Sequence, residues 1–187
     1  MRNLITKTAY NLLKTKTFEE LSVDEICEAC GISKPTFYKY LGSKENLLGY
    51  FYEDVLKEYN TAYSMLMEDT YWNQICAGFE SIIKASTEFG INLYSNLFIA
   101  NLKNNQGTFN FDDNLAKTMI VLFEKSQKVG QIRNTSNPKN LYYVCVNASF
   151  GYGINWCLGN NKGDLTKLFR KALEDICDVD PKFRIKD

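Results

Sequence analysis

The sequence contains no histidine. Histidine is the side chain whose ordinary proton affinity lies closest to neutrality, and it is the commonest zinc ligand. Its absence weakens the case for acid–base or zinc-dependent catalysis before any motif is considered. Proline is nearly as scarce, with three residues in 187, so little interrupts a helical chain. No apolar run approaches the roughly 20 residues that a membrane-spanning helix needs. The start, Met1-Arg2-Asn3-Leu4-Ile5-Thr6-Lys7, turns polar too early for the apolar core of a secretory signal. Six cysteines (Cys27, Cys30, Cys76, Cys145, Cys157 and Cys177) are scattered, unlike the dense pattern of a disulfide scaffold. Neither sign of charge is in excess, with 22 basic and 22 acidic residues, so any affinity for nucleic acid must come from a local basic face. These absences lead us to expect a cytoplasmic protein with free thiols, no membrane partner, no metal and no cofactor.

What is present is apolar spacing of helical period along nearly the whole chain. Ile5, Ala9, Leu12 and Leu13 mark one face of a first helix. Ser22-Val23-Asp24-Glu25 reads as a capping box, in which Ser22 and Glu25 satisfy each other's free backbone donors. The short helix that follows buries Ile26 and stops at Gly31, where a left-handed turn costs least. Ser33 is placed to cap a third helix with Pro35 in its first turn. Gly42 ends it, and Ser43 caps a long fourth helix carrying Leu47, Leu48, Phe51, Val55 and Tyr59. Farther on, Trp72, Ile75, Cys76, Phe79, Ile82 and Ile83 form one stripe, and Leu93, Leu97 and Leu102 suggest the next helix. Asp112 can cap a helix burying Leu115, Met119, Leu122 and Phe123. Asn137-Pro138 opens a helix reaching about Leu158, and a last one runs from Asp164 to about Cys177. The expectation is an all-α protein of about nine helices.

The informative stretch is Ser22 to Leu48. Two short capped helices meet at Cys30-Gly31-Ile32, a turn tight enough to cross them steeply. That is helix-turn-helix geometry, in which the second helix can enter a major groove about 12 Å wide. Phe37 and Leu41 lie four apart and should pack inward. Lys34, Pro35, Tyr38 and Lys39 then point outward, with Thr36 and Tyr40 near the edges. Lysines, hydroxyls and a tyrosine on one face can meet both phosphates and base edges. The same residues would also suit the solvated side of a plain three-helix bundle.

Ile26, Ala29, Gly31-Ile32-Ser33, Thr36, Tyr38 and Ser43-Lys44-Glu45-Asn46-Leu47-Leu48 closely resemble the DNA-binding signature of the TetR (TetR/AcrR) family. The resemblance covers about the first 50 residues without a gap, while the remainder is similar only in length and helical character. It implies that Lys34, Pro35 and Tyr38 approach bases and that Ser22, Thr36, Tyr40 and Lys44 hold phosphates. Ser22 and Lys44 would do so at helix starts, where backbone donors and the dipole favour anions. Ser33 and Lys39 complete the expected DNA-facing set. Two features depart from the pattern. Lys39-Tyr40 stands where the family often carries His or Tyr-His. Through Leu48 there are also only seven basic against six acidic side chains, which points to modest affinity with strong salt dependence.

The resemblance further implies two functional parts, residues 1–48 binding DNA and residues 49–187 binding a small-molecule effector and a second subunit. The last two helices, about 138–158 and 164–177, would join with their copies into a homodimer holding near-palindromic operator DNA, with repression as the default outcome. The alternative is a co-activator, or a small-molecule-binding helical protein, that does not itself bind DNA. Other signals carry less. Cys27-Glu28-Ala29-Cys30 has no second such pair to complete a metal site and reads as small apolar filler. Gly151-Tyr152-Gly153 has Trp156 where a nucleotide loop needs its third glycine, and no strand precedes it. Asp112-Asp113 suits a helix start without any catalytic role. Phe79, Phe89, Phe98, Phe123, Tyr143 and Phe150 are candidates for an effector pocket between helices, each with core packing as the competing role.

Overall fold

The computed structural model describes residues 1–64, 70–109, 114–160 and 163–185, the side chains of 58–64 and 114 excepted. Among these residues nine α-helices are present: α1 (Arg2–Leu12), α2 (Val23–Cys30), α3 (Lys34–Leu41), α4 (Asn46–Ser64), α5 (Tyr71–Phe89), α6 (Ile91–Lys103), α7 (Asn114–Lys128), α8 (Pro138–Cys157) and α9 (Leu165–Ile176). A short 3₁₀ turn at Pro181–Phe183 follows, and the only extended pairing among the described residues is a single bridge between Ile132 and Val179. None of these helices is long and apolar enough to cross a membrane.

The chain forms two compact units, one of residues 1–55 and 88–108, the other of residues 56–87 and 109–185. The first unit is larger than the stretch bearing the DNA-binding signature. It runs on into α4 and includes α6, which lies some 50 residues farther along the chain. Its core is made by Ile5, Leu21, Ile26, Phe37, Leu47 and Tyr52, all inaccessible to solvent. Fully burying an aliphatic or aromatic side chain of this size contributes about 1.5–3 kcal/mol. Polar bonds then hold α6 to the segment between α1 and α2. The Phe18 amide donates to Asn92 Oδ1 at 3.3 Å, and the side-chain amides of Asn92 and Asn96 both donate to the Glu19 carboxylate.

The second unit centres on aromatic packing. Phe79 of α5 meets Phe123 of α7, Tyr142 of α8 and Phe169 of α9 at ring distances between 5.6 and 6.5 Å. Arg170 is largely buried, and burial of an unpaired charge would be strongly unfavourable. It lies 3.4 Å from Glu174 and 3.7 Å from Glu80, with its guanidinium over the Trp72 ring.

The expected helices are present with shifted ends. α1 stops at Leu12, so Leu13 is its cap rather than its last turn. Ser43 accepts from the Asn46 amide at 3.3 Å, and α4 begins only at Asn46. Leu97 of α6 is buried, but Leu102 is 85% exposed and does not belong to the inward stripe. The capping role of Asp112, its pairing with Asp113 and the inward face of Tyr59 lie outside the described residues.

Candidate nucleic-acid interface

α2 and α3 are set by local chemistry. The Ser22 hydroxyl accepts from the Glu25 amide at 3.2 Å, while the Glu25 carboxylate accepts from the Ser22 amide at 2.9 Å, so the capping box is complete. A cap of this type contributes about 1 kcal/mol. Gly31 follows with φ 64°, the left-handed conformation that residues with a Cβ adopt only under strain. Ser33 then caps α3, accepting from the Thr36 amide at 3.4 Å, and Pro35 occupies the first turn where no backbone donor is needed.

The turn at Gly31 leaves α3 with two unlike faces. Phe37 and Leu41 are buried, and Phe37 is wholly inaccessible. Ser33, Lys34, Pro35, Tyr38, Lys39 and Tyr40 are exposed, and Thr36 is half-buried beside Ser33. Tyr38 is 48% and Tyr40 43% accessible, far beyond what a large aromatic ring retains when packing decides its place. The Tyr38 ring rests edge-on against Phe37 at 5.4 Å, so its body is steadied while its hydroxyl end stays in water. The arrangement offers a donor- and hydroxyl-rich helix face raised on an apolar base.

The lysines around this face differ in what holds them. Lys34 Nζ lies 2.7 Å from Asp24 Oδ1, and this carboxylate raises the lysine's proton affinity above the ordinary value. The Lys39 ammonium lies 5.9 Å from the Tyr40 ring centre and meets no carboxylate among the described residues. Lys44 is half-buried; its ammonium donates to the carbonyls of Phe18 and Leu21, each at 2.9 Å, over the Phe18 ring. Two of its three donors are thus occupied within the chain. Lys16 is bonded to Glu25 and with the Ser22 donors draws that carboxyl down to about 2. Glu19, bonded first by Asn96, is drawn down to about 2 as well. The internal roles of Lys44 and Glu19 were not readable from the sequence, because their partners are carbonyls and amides with no residue-type signature.

The remaining sequence candidates are dispersed. Phe89 and Phe98 belong to the first unit, where Phe89 packs on Tyr52 at 5.6 Å and Phe98 on Tyr94 at 4.9 Å. Phe79, Phe123, Tyr143 and Phe150 belong to the second. Of these, Phe79 and Phe123 are inaccessible to solvent and pack on one another and on Tyr142, while Tyr143 and Phe150 are half-buried. One open depression of about 470 Å³ in the second unit is lined by Ile120, Glu124, Gln127, Lys128, Asn137, Pro138 and Lys139, none of them among the six aromatics. Cys27 is buried and its thiol is pushed up chiefly by burial, so it is a poor thiolate. No cluster of three potential metal ligands occurs among the described residues.

Residues 5–51 match the family model described as bacterial regulatory proteins, tetR family. A 64-residue stretch is 41% identical to the HTH-type transcriptional regulator EthR of Mycolicibacterium smegmatis, spanning 34% of this chain and 30% of that protein. The likeness to this curated relative therefore covers less than a third of its length. Likeness of fold extends much farther. The Thermus thermophilus FadR structure, a TetR-family repressor in complex with lauroyl-CoA, aligns over 100% of this chain and 97% of its own at TM-score 0.69 and 15% identity. The R. erythropolis repressor QsdR aligns over 100% and 96% at TM-score 0.59 and 16% identity. At such identities the likeness shows the fold alone.

Proposed function

We propose that this chain, whose residues 5–51 match the model of the tetR family of bacterial regulatory proteins, is a ligand-responsive transcription regulator that binds operator DNA as a homodimer. The observation that carries the reading is the two-faced α3, with Lys34, Pro35, Tyr38, Lys39 and Tyr40 in water above buried Phe37 and Leu41. Pro35, Tyr38 and Lys34 are the base-contacting set. Ser22, Ser33, Thr36, Lys39, Tyr40 and Lys44 hold the backbone, Lys44 through the one donor that its carbonyl partners leave over.

A face at α8 supports a second copy as partner. Val144, Asn147, Gly151, Ile154 and Leu158 are exposed at alternating spacings of three and four, which puts them in one line along the helix. Val144, Ile154 and Leu158 are 52%, 45% and 67% accessible, and Gly151 has open space above it. An apolar seam with a glycine near its middle suits close approach of an identical helix, with α9 alongside. Two α3 helices then stand about one turn of DNA apart, roughly 34–36 Å, and require a near-palindromic site. Residues 49–187 would hold the effector and the second subunit, and FadR's lauroyl-CoA is a precedent for a small molecule in a protein of this fold. The effector acts by binding better to the wrongly spaced dimer, so that by linkage it releases DNA. The protein works as a cytoplasmic repressor by binding rather than by catalysis.

Titration with duplex DNA from upstream of its own gene tests this. Specific binding should weaken steeply with salt, and Tyr38→Ala should blur sequence preference without changing the fold. Equal binding to every duplex, by wild type and Tyr38→Ala alike, would overturn the reading in favour of a helical protein that does not recognise DNA.

A further inference from the structure

We propose that Asp24 is a specificity-determining residue of the DNA-binding face, forming with Lys34 a donor–acceptor pair that suits a base-pair edge and opposes the phosphate backbone. This rests on the reading of α3 as the helix that meets DNA.

The pair is assembled by the fold. Asp24 lies in the first turn of α2, Lys34 is the first residue of α3, and the turn at Gly31 brings their charged atoms to 2.7 Å. Neither side chain is needed for packing, since Lys34 remains 56% and Asp24 68% exposed. Exposed ion pairs of this kind contribute little to stability. For a protein that binds a polyanion, however, the carboxylate has a definite effect. It neutralises the lysine expected to reach the bases and stands two residues from Ser22, at a helix start expected to meet a phosphate.

Hydrogen-bond chemistry decides what DNA can offer the pair. A carboxylate only accepts, and in the major groove its donors are the amino groups of cytosine and adenine. An ammonium only donates, and its acceptors there are guanine O6 and N7, adenine N7 or thymine O4. On a base pair presenting both in the right order, each member keeps a hydrogen bond as the two separate onto the DNA. Along the backbone there are acceptors but no donors, so Lys34 can leave for a phosphate only by stranding Asp24 beside negative charge. Asp24 thus weakens binding everywhere and weakens it least at the matching site. With Lys34 neutralised, the unpaired ammonium of α3 is that of Lys39, which holds non-specific attraction low.

The experiment uses the full chain, a duplex enriched by the wild type from a random-sequence library, and a shuffled duplex of equal length and composition. Both are titrated across a salt series. Asp24→Asn should raise affinity for the shuffled duplex about 5- to 10-fold and steepen its salt slope by about 0.9. Affinity for the enriched duplex should rise by less than about twofold, so the ratio of the two affinities drops several-fold. Asp24→Glu should retain most of the ratio, and Lys34→Ala added to Asp24→Asn should return the salt slope to that of wild type. Melting temperatures should not change, which separates this role from a structural one. Equal gains on both duplexes, meaning bulk charge alone, would overturn the proposal, as would no change on either. A wild type that enriches no sequence would instead sink the reading of α3 as a DNA-contacting helix, and this inference with it.

Discussion

α3 and α8 each leave a line of side chains in water, and the two lines have opposite chemistry. On α3 it consists of lysines, a proline and tyrosines above the buried Phe37 and Leu41. On α8 it consists of valine, isoleucine and leucine with Asn147 and Gly151 between them, above the buried Tyr142, Cys145, Val146 and Ser149. Scattered apolar residues at a surface need no explanation, but aligned ones mark a place where something else should sit. A charged and hydroxylated line suits a partner that brings its own charge. An apolar line suits another apolar line, such as a second copy of itself. The difference teaches that exposure alone does not define an interface, whereas the chemistry of what is exposed narrows the partner.

The sharpest way to break this contrast is to remove what lies under the α3 line. Phe37→Ala should destabilise the first unit by about 3–5 kcal/mol, read as early loss of amide protection in α1–α3, and DNA binding should vanish with it. A charge placed in the other line comes next. Ile154→Glu should convert a dimer to monomers in sedimentation and leave the helical content intact; a dimer that persists would exclude α8 as the seam. Two lysines then sharpen the comparison within the set proposed to face DNA. Lys44→Ala should cost about 1–3 kcal/mol of stability, because the carbonyls of Phe18 and Leu21 lose their donor. Lys39→Ala should leave melting unchanged and lower the salt slope of DNA binding by about 1.

The smallest expected effect concerns pH. Glu19 and Glu25 sit at about 2 in the folded chain, against an ordinary 4.5. A carboxyl depressed by folding adds stability that is complete above its unfolded value and is lost as pH falls toward the folded one. Amide protection in α1–α3 should therefore hold steady above about pH 4.5 and decline toward pH 2. Because both carboxyls are exposed the slope should be shallow, and Glu19→Gln with Glu25→Gln should flatten it.

Much of the geometry of α2, α3 and the turn between them was legible because it is local. Ser22 and Glu25 are three residues apart, Ser33 and Thr36 likewise, and Phe37 and Leu41 share a face by helical period alone. An effector pocket is not legible in that way. The six candidate aromatics follow helical spacing, but spacing cannot tell a ring that lines a cavity from one enclosed by other rings, and they fall in two separate units. Leu102 fitted an inward stripe by period and is nonetheless exposed, because period assigns a face without saying whether anything covers it.

By itself, then, the order of residues determined the nine helical segments among the described residues, the caps at Ser22 and Ser33, the left-handed turn at Gly31 and which side of α3 meets water. These follow from interactions within a turn or two of chain. Tertiary structure alone decided that α6 is bonded to the segment before α2, through partners 74 and 77 residues apart. It likewise decided that Lys44 is spent largely on backbone carbonyls and that Asp24 answers Lys34. Hydrogen bonds and ion pairs between distant residues depend on where the packed helices bring each group, and asparagine, lysine and aspartate carry no mark in sequence of the partner they will meet.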